Sequence, residues 1–291
     1  MLFNSLPFFV FFTVFCLGYF SLPKKLKLVF ILLASIVFYY LLSPKGIFVL
    51  AVSVFFNFCN GVLMEKSKKK GAILTLSFIV NIGMLFVFKY FDFFNTWTTT
   101  ILHSINISNP VPFLHLIIPA GISYYTLQAI GYNMDVYSEI QKAEKNFTIF
   151  ATYFFFFPKI AQGPVERPRN LLPQLHGKYE ITYVCMTGGL KLLALGMFKK
   201  FVIANRLGAL VDQIYNHPHE YSGVILLVGG LFYTFQLYAD FSGYTDMALG
   251  IAQIMGFKLM INFNRPFASS SVTEFWKRWH ISFSTWLYEY I

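Results

Sequence analysis

Long apolar runs separated by short lysine-rich segments dominate the first 90 residues of the chain. A transmembrane helix needs roughly 20 mostly apolar residues, and four stretches approach that length. A retained first span is predicted rather than a signal peptide, since no basic segment precedes it and no cleavage site follows. The four predicted spans are Leu2–Phe20, Leu26–Leu42, Gly46–Met64 and Gly71–Phe88.

The apolar pattern becomes irregular after residue 110. Ile117–Tyr132 and Thr148–Gly163 are apolar, but proline, glycine and glutamine interrupt both. Broken helices are tolerated in lipid only where protein or a water-filled cavity satisfies the backbone, so these stretches are predicted to be re-entrant or protein-buried. Gly163–Gly177 is rich in proline and predicts a cytoplasmic loop. Val184–Ala204 and Gly223–Phe257 are long enough to span again.

Composition supports a membrane protein. Hydrophobic residues are 56% of the 291 residues and charged residues only 12%, against roughly 25% charged residues in soluble domains. The net charge of +10 does not indicate nucleic-acid binding, because the basic residues lie in short segments between apolar runs. The prediction is an all-α polytopic protein with about eight or nine membrane segments, forming one domain over residues 1–291.

Lysine asymmetry predicts the orientation. Lys24, Lys25 and Lys27 follow the first span, and a second lysine cluster at residues 66–70 follows the third, whereas Phe91–Leu116 has neither Lys nor Arg. The positive-inside rule then places both clusters in the cytoplasm and the N-terminus outside. The three cysteines lie in apolar runs and fit no metal motif, so small buried side chains are the simpler interpretation.

Candidate chemistry concentrates in residues 231–291. Gln236 and Asp240 lie one helical turn apart, and Asp246 follows in the same apolar run. A carboxylate at membrane depth costs at least ~2.5 kcal/mol by insertion scales, so it needs a function or a partner. Either these side chains line a reaction chamber, or they form structural ion pairs with a basic residue such as Lys191 or Arg265.

The segment Ser271–Leu287 combines aromatic and polar residues. Ser271 or Thr273 is predicted to cap a helix, with Glu274 three residues after Ser271. The near-helical spacing of the tryptophans predicts an amphipathic helix at the interface or at a tunnel mouth. His280 could act as a general base near neutral pH, although a lone histidine beside aromatic residues is more often a packing residue. The candidate channel residues in this segment are Trp276, Arg278 and Trp279.

Four blocks of sequence together resemble the membrane-bound O-acyltransferase (MBOAT) family. The resemblance is to its bacterial branch, which includes the alginate O-acetylation membrane protein and the D-alanyl transfer protein of teichoic acids. The fourth block is long and highly specific, while the N-terminal spans match only in character. The blocks are Ile118–Tyr137, Phe156–Leu175, Leu190–Leu207 and Tyr233–Leu287.

The resemblance implies a ring of helices around a thinned centre crossed by a tunnel, in the cell (inner) membrane. It implies transfer of an acyl group, acetyl by expectation, from a cytoplasmic thioester such as acetyl-CoA or an acyl carrier toward hydroxyls of an extracytoplasmic polysaccharide, as in alginate biosynthesis. The implied partners are the donor, a periplasmic acetyltransferase or the polysaccharide, and membrane lipids. No bound cofactor and no metal are implied, and His280 takes the role of a family site histidine.

The resemblance also implies that the family continues beyond residue 291 to its most essential histidine. The family core at residues 111–291 is therefore expected to be incomplete, and this chain alone is expected to be inactive. Two other hypotheses stay open on the residues: a transporter of acyl groups, and a non-catalytic scaffold for a periplasmic transferase. The absence of a visible inverted repeat is the feature that counts against a transporter.

Overall fold

The computed structural model describes residues 1, 3–177 and 181–291, and the described part of the chain is helical without any β-strand. The all-α prediction is confirmed. Short π-helical segments extend two of the helices, at Phe86–Tyr90 and Lys199–Ala204, and 3-10 turns occur at Pro218–Glu220 and Pro266–Ala268. The α-helices are α1 (Leu6–Ser21), α2 (Lys24–Leu42), α3 (Gly46–Lys66), α4 (Lys70–Leu85), α5 (Phe91–Ser104), α6 (Ile122–Tyr137), α7 (Phe147–Phe155), α8 (Pro168–His176), α9 (Tyr183–Phe198), α10 (Asn205–Asn216), α11 (Gly223–Ile254), α12 (Val272–Arg278) and α13 (Ile281–Tyr290).

Four described helical runs are long and apolar enough to cross a membrane: Lys24–Leu42, Gly46–Lys66, Lys70–Ser104 and Gly223–Ile254. The shorter apolar helix α1 corresponds to the predicted first span, whose starting residue Leu2 lies outside the described residues. The multi-pass prediction therefore agrees with the structure. The total of about eight or nine membrane segments and the single-domain organisation stay predictions.

Two of the sequence boundaries were wrong. The fourth span does not end near Phe88, because the helix continues through a π segment to Ser104. The predicted loop Gly163–Gly177 contains helix α8, which begins at Pro168. Proline is well suited to the first helical turn, where its missing N–H would have no partner, and the buried leucines of α8 stabilise the rest.

The chain forms two compact units, and the first comprises residues 1–24, 162–166 and 176–291. Within it, α9 and α11 run antiparallel in close contact. Gly189 lies against Gly250 and Gly196 against Gly243, so that a Cβ on any of these glycines would approach the opposite carbonyl oxygen to 2.5–2.8 Å. Small residues allow membrane helices this close an approach. The glycines are seven residues apart on each helix, which fixes the register of the pair.

The second unit comprises residues 25–161 and 167–175. A buried asparagine cluster joins three of its helices: the Asn57 and Asn81 amides exchange hydrogen bonds of 3.0 and 2.9 Å, and Asn133 donates to Asn57 at 2.7 Å. The predicted interruption before α6 occurs at Gly121, whose φ of +73° and closeness to the Ile160 carbonyl oxygen exclude a side chain. This unit thus contains the irregular, protein-buried segments that the sequence predicted.

Candidate functional site

Helix α11 carries the predicted polar residues of the site. Lys199 Nζ lies 2.6 Å from Asp246 Oδ2, and Lys200 Nζ bonds Asp240 Oδ1. The side chains of Lys199 and Asp246 are 19% and 16% exposed, so this pair is largely removed from solvent. Both aspartates therefore form ion pairs, as one of the two alternatives predicted. Their partners are Lys199 and Lys200, and the predicted partners Lys191 and Arg265 are wrong.

The π-helical segment at the end of α9 explains why two consecutive lysines both contact α11. Lys199 and Lys200 open this segment, directly after the close contact between Gly196 and Gly243. A π turn is wider than an α turn and changes the direction of the side chains that follow, and such turns are frequent at functional sites. The sequence showed the lysines but gave no signal for the π turn or for the pairing.

His280 occupies a break between α12 and α13 rather than a position within one amphipathic helix. Its φ of +43° and ψ of 51° lie in the left-handed region, and it is the N-cap residue of α13. A non-glycine residue adopts this conformation only when its surroundings determine it. The single helix predicted from the tryptophan spacing is therefore wrong at this point, although the predicted Ser271 cap of α12 is confirmed, with its hydroxyl accepting from Glu274 N at 3.2 Å.

The irregular segment that follows α11 supports the break. Ile281 N donates to Asn262 O at 2.8 Å, and Asn264 N donates to Arg278 O at 3.0 Å. The Ser282 hydroxyl donates to Asn262 Oδ1 and accepts from Val165 N at 2.9 Å. These bonds hold the backbone on both sides of His280, so its strained conformation is determined by residues from three segments of the chain.

Aromatic rings surround His280. The ring of Phe241 on α11 meets the imidazole edge-on at 4.8 Å, and Phe283 lies 5.2 Å away. The Nε2 atom is buried without a hydrogen-bond partner among the described residues. His280 lies outside the four candidate spans, and its burial lowers its pKa from 6.5 to about 4. The imidazole is therefore neutral at physiological pH and has an unbonded nitrogen.

The predicted tryptophans have different surroundings. Trp279 packs against Phe263 at 5.1 Å, against Tyr238 at 6.0 Å and on Phe275 at 5.4 Å. Trp276 is 55% exposed. Trp279 thus belongs to the aromatic cluster that joins α11 to the His280 break, whereas Trp276 is at the surface of its unit.

Arg278 and Gln236, two further residues predicted for the site, differ in their polar contacts. Arg278 forms a 2.5 Å ion pair with Glu274 on its own helix, which accounts for its position without a ligand. Gln236 lies beside Gly208, and its Oε1 is buried without a partner among the described residues. A buried amide oxygen of this kind costs free energy unless something binds it, so Gln236 is a stronger candidate for substrate contact than Arg278.

Sequence reasoning did not single out Asn262, Ser282 or Glu166. Glu166 is buried, and its Oε2 accepts a 2.8 Å hydrogen bond from Met260 N. All three residues lie in blocks that carry the family resemblance, but their roles depend on contacts between distant segments. No group of three or more metal-ligating side chains occurs within the described ranges.

Comparison with known proteins identifies the family. Residues 144–291 match the family model described as MBOAT, membrane-bound O-acyltransferase family. The chain belongs to this family. It is a membrane protein, and the resemblance seen in its four sequence blocks is confirmed.

Relatives of several kinds align with the MBOAT chain. It is 36% identical to "Probable alginate O-acetylase AlgI" of Pseudomonas aeruginosa over 296 aligned positions, covering 100% of this chain and 56% of that protein. A peptidoglycan O-acetyltransferase of Helicobacter pylori is 33% identical, with 100% and 61% covered. The teichoic acid D-alanyltransferase of Bacillus subtilis is 33% identical over 59% of this chain and 44% of its own. The chain thus spans 56% to 61% of the length of the first two relatives.

Proposed function

We propose that this chain forms part of a membrane O-acyltransferase that transfers an acyl group, acetyl in our proposal, from a cytoplasmic thioester toward hydroxyls of an extracytoplasmic polysaccharide. The observation that carries the proposal is His280, which is held in a strained conformation with a buried, unbonded Nε2. The names of the relatives support the same chemistry, since they include an alginate O-acetylase and a peptidoglycan O-acetyltransferase.

In the proposed reaction, the hydroxyl oxygen of the acceptor attacks the thioester carbonyl carbon, and the carbon–sulfur bond breaks. A neutral His280 would accept the hydroxyl proton and return it to the departing thiolate, so that an ester and a thiol are formed. A positioned hydroxyl and a base suffice for this chemistry, because a thioester is already activated. No metal or cofactor enters this scheme. The donor is proposed to be acetyl-CoA or an acyl carrier thioester.

The residues proposed to line the substrate path are those that the sequence indicated. Gln236 offers a buried amide oxygen without a described partner, and Asp240 keeps 44% of its side chain exposed although it binds Lys200. Both can accept hydrogen bonds from hydroxyls. The ion pair at Asp246 supports the wall of the path, and the other proposed lining residues are Trp276, Arg278 and Trp279.

The protein is proposed to lie in the cell (inner) membrane with its N-terminus outside. Tyr19, close to the lysines that begin α2, donates a 2.7 Å hydrogen bond to the Met255 carbonyl. The end of α11 therefore lies at the level of the end of α1. The lysines that follow α1 are assigned to the cytoplasm by the positive-inside rule. Asp246 is nine residues away from Met255, about 13 Å along the helix. The proposed outer partner is a periplasmic transferase or the polysaccharide.

The test replaces His280 in the native gene and measures ester-linked acetyl groups on the surface polysaccharide. We expect His280→Gln to reduce acetylation by about 100-fold or more, because loss of a general base costs roughly 10²–10⁴ in rate. His219→Gln, at an exposed residue in the 3-10 turn, is the matched control. Protein amount in the membrane is measured by immunoblot. Normal acetylation by the His280→Gln variant at equal abundance would exclude His280 from the chemistry.

A further inference from the structure

Helix α5 and the chain that follows it form a hairpin within the second unit. Residues 105–118 return along α5, because Asp92 in the first turn of this helix holds their far end. The two carboxylate oxygens of Asp92 accept 2.9 Å hydrogen bonds from the backbone N–H groups of Leu114 and His115. We call residues 91–118 the outer hairpin. The proposed acyl-transfer site uses no residue of it.

The hydrogen-bonding side chains of the outer hairpin face its interior. The Asn109 amide donates 2.7 Å hydrogen bonds to Asn95 Oδ1 and to Thr99 Oγ1, and Asn95 is only 6% exposed. The threonine hydroxyls of α5 each donate to the backbone carbonyl oxygen four residues earlier, at Thr96, Thr98, Thr99 and Thr100. These polar groups therefore need no water, which is the condition for irregular backbone beside hydrocarbon.

Apolar side chains form the outer surface of the same hairpin. On α5 they recur at helical spacing, at Phe93, Trp97 and Ile101, and Trp97 is 63% exposed. The returning segment adds further exposed apolar side chains, among them Ile107, Val111, Leu116, Ile117 and Ile118. In water a folded chain buries apolar side chains and exposes polar ones, so the reversed arrangement indicates apolar surroundings.

Contacts between α4 and α6 place the hairpin at one edge of the hydrocarbon core. Lys70 at the start of α4 forms a 2.5 Å ion pair with Glu139, just after α6. At the other end, Lys89 Nζ donates a 3.1 Å hydrogen bond to Ser123 Oγ in the first turn of α6. From Lys70 to Lys89 the helix rises about 28 Å, close to the ~30 Å thickness of the core. The outer hairpin therefore begins at the boundary opposite the lysine cluster, and residues 90–141 contain neither Lys nor Arg.

A straight continuation of the helix would carry the apolar surface of α5 into water. The 14 residues of α5 rise about 21 Å, and exposing apolar area to water costs ~25 cal/mol for each Å². The π-helical segment Phe86–Tyr90 directly precedes α5, and helices kink at such segments. This segment allows α5 to turn into the plane of the membrane, where an amphipathic helix buries its apolar face about 5–10 Å deep.

We infer that the outer hairpin lies in the headgroup–acyl boundary of the leaflet opposite the lysine cluster, where lipid covers its apolar surface. Lipid fits better than a docked protein, because exposed apolar side chains occur on both α5 and the returning segment, whereas a docked protein covers one patch. Trp97 suits this boundary, since the indole has an apolar body and one polar N–H. The inference is independent of acyl transfer.

Cysteine labelling of the purified chain in phosphatidylcholine nanodiscs tests the inference, with the native cysteines replaced by serine. Ile101→Cys reports on the outer hairpin. Lys68→Cys, in the connection between α3 and α4, is the matched control, because both native side chains are exposed in the structure. The thiolate is the reactive form and apolar surroundings keep a thiol protonated, so a water-soluble maleimide should label Ile101→Cys at least about tenfold more slowly than Lys68→Cys. Equal labelling rates would overturn the inference.

The fluorescence of Trp97 distinguishes cover by lipid from cover by protein. Its emission is the difference between the wild type and Trp97→Phe, so that the contributions of the other tryptophans cancel. This emission should fall in nanodiscs of phosphatidylcholine brominated on its acyl chains, because bromine quenches only nearby tryptophans, and acrylamide in the water should quench it little. Slow labelling of Ile101→Cys without quenching by bromine would mean that protein covers the hairpin, and it would overturn the assignment to lipid.

Discussion

The close contact between α9 and α11 predicts how a Gly196→Ala substitution changes the stability of the protein. Two opposing effects decide whether the change is a gain or a loss. Gly196→Ala adds a methyl group that would lie 2.5 Å from the Gly243 carbonyl oxygen and 2.7 Å from Met247 Cγ. Alanine favours a helix by about 1 kcal/mol over glycine. Overpacking of a tight contact costs about 1–3 kcal/mol, and a backbone oxygen cannot rotate away as a side chain can.

The cost of the clash should therefore exceed the gain in helix propensity. We expect Gly196→Ala to destabilise the protein by up to about 2 kcal/mol after the gain in helix propensity is subtracted. Separation of the helices would also weaken the Lys199 pair with Asp246, which follows the glycine contact by less than one turn.

Unfolding in detergent, followed by tryptophan fluorescence, measures this effect. Gly83→Ala on α4 is the control, because a Cβ at Gly83 meets nothing within 4 Å. That variant should be unchanged or more stable by up to about 1 kcal/mol. If Gly196→Ala proved as stable as Gly83→Ala, the helices would not be in the close contact described, and the register argument would fail.

Three further predictions concern polar groups. Lys199→Met should destabilise the protein by about 3 kcal/mol, because it leaves the Asp246 carboxylate without its partner. Adding Asp246→Asn to this variant should recover most of the lost stability. If the losses of the two single variants simply added up in the double variant, the two side chains would not be coupled. Asn57→Ala should cost about 1–3 kcal/mol, because Asn81 loses its buried partner, and wild-type stability would contradict the described cluster. Between about pH 4 and 6.5, the folded state binds fewer protons at His280 than the unfolded state, so the free energy of unfolding should rise with pH across that window. If the free energy of unfolding of a His280→Gln variant rose with the same slope, the effect would belong to other groups.

The irregular segments show which breaks in the helices could be predicted from the sequence and which could not. The interruption before α6 was predictable because Gly121 stands at the start of an apolar run, and proline and glycine disfavour regular helix wherever they occur. The helix at Pro168 was missed because the proline content of that segment was taken as loop chemistry. The same residue type begins a helix when buried leucines follow at helical spacing.

The candidate site illustrates the opposite case. Asp240 and Asp246 were recognisable as costly charges in an apolar run, yet their partners lie 40 and 47 residues away in sequence. Local pattern cannot rank distant lysines, and it favoured Lys191 over Lys199. The break at His280 was equally hidden, because tryptophan spacing is compatible with one helix, and only the bonds from Asn262 and Asn264 stop it there.

The sequence by itself determined the all-α class, the membrane environment, the family and the region in which polar residues concentrate. These properties follow from the hydrophobicity, helical periodicity and local motifs of neighbouring residues. Tertiary structure decided which lysine meets which aspartate, and that His280 keeps an unbonded nitrogen among aromatic rings. The physical reason is that these distances are set by segments far apart in the sequence: the opposed glycines bring α9 close to α11 where the ion pairs form, and the bonds from Asn262 and Asn264 hold the strained backbone at His280.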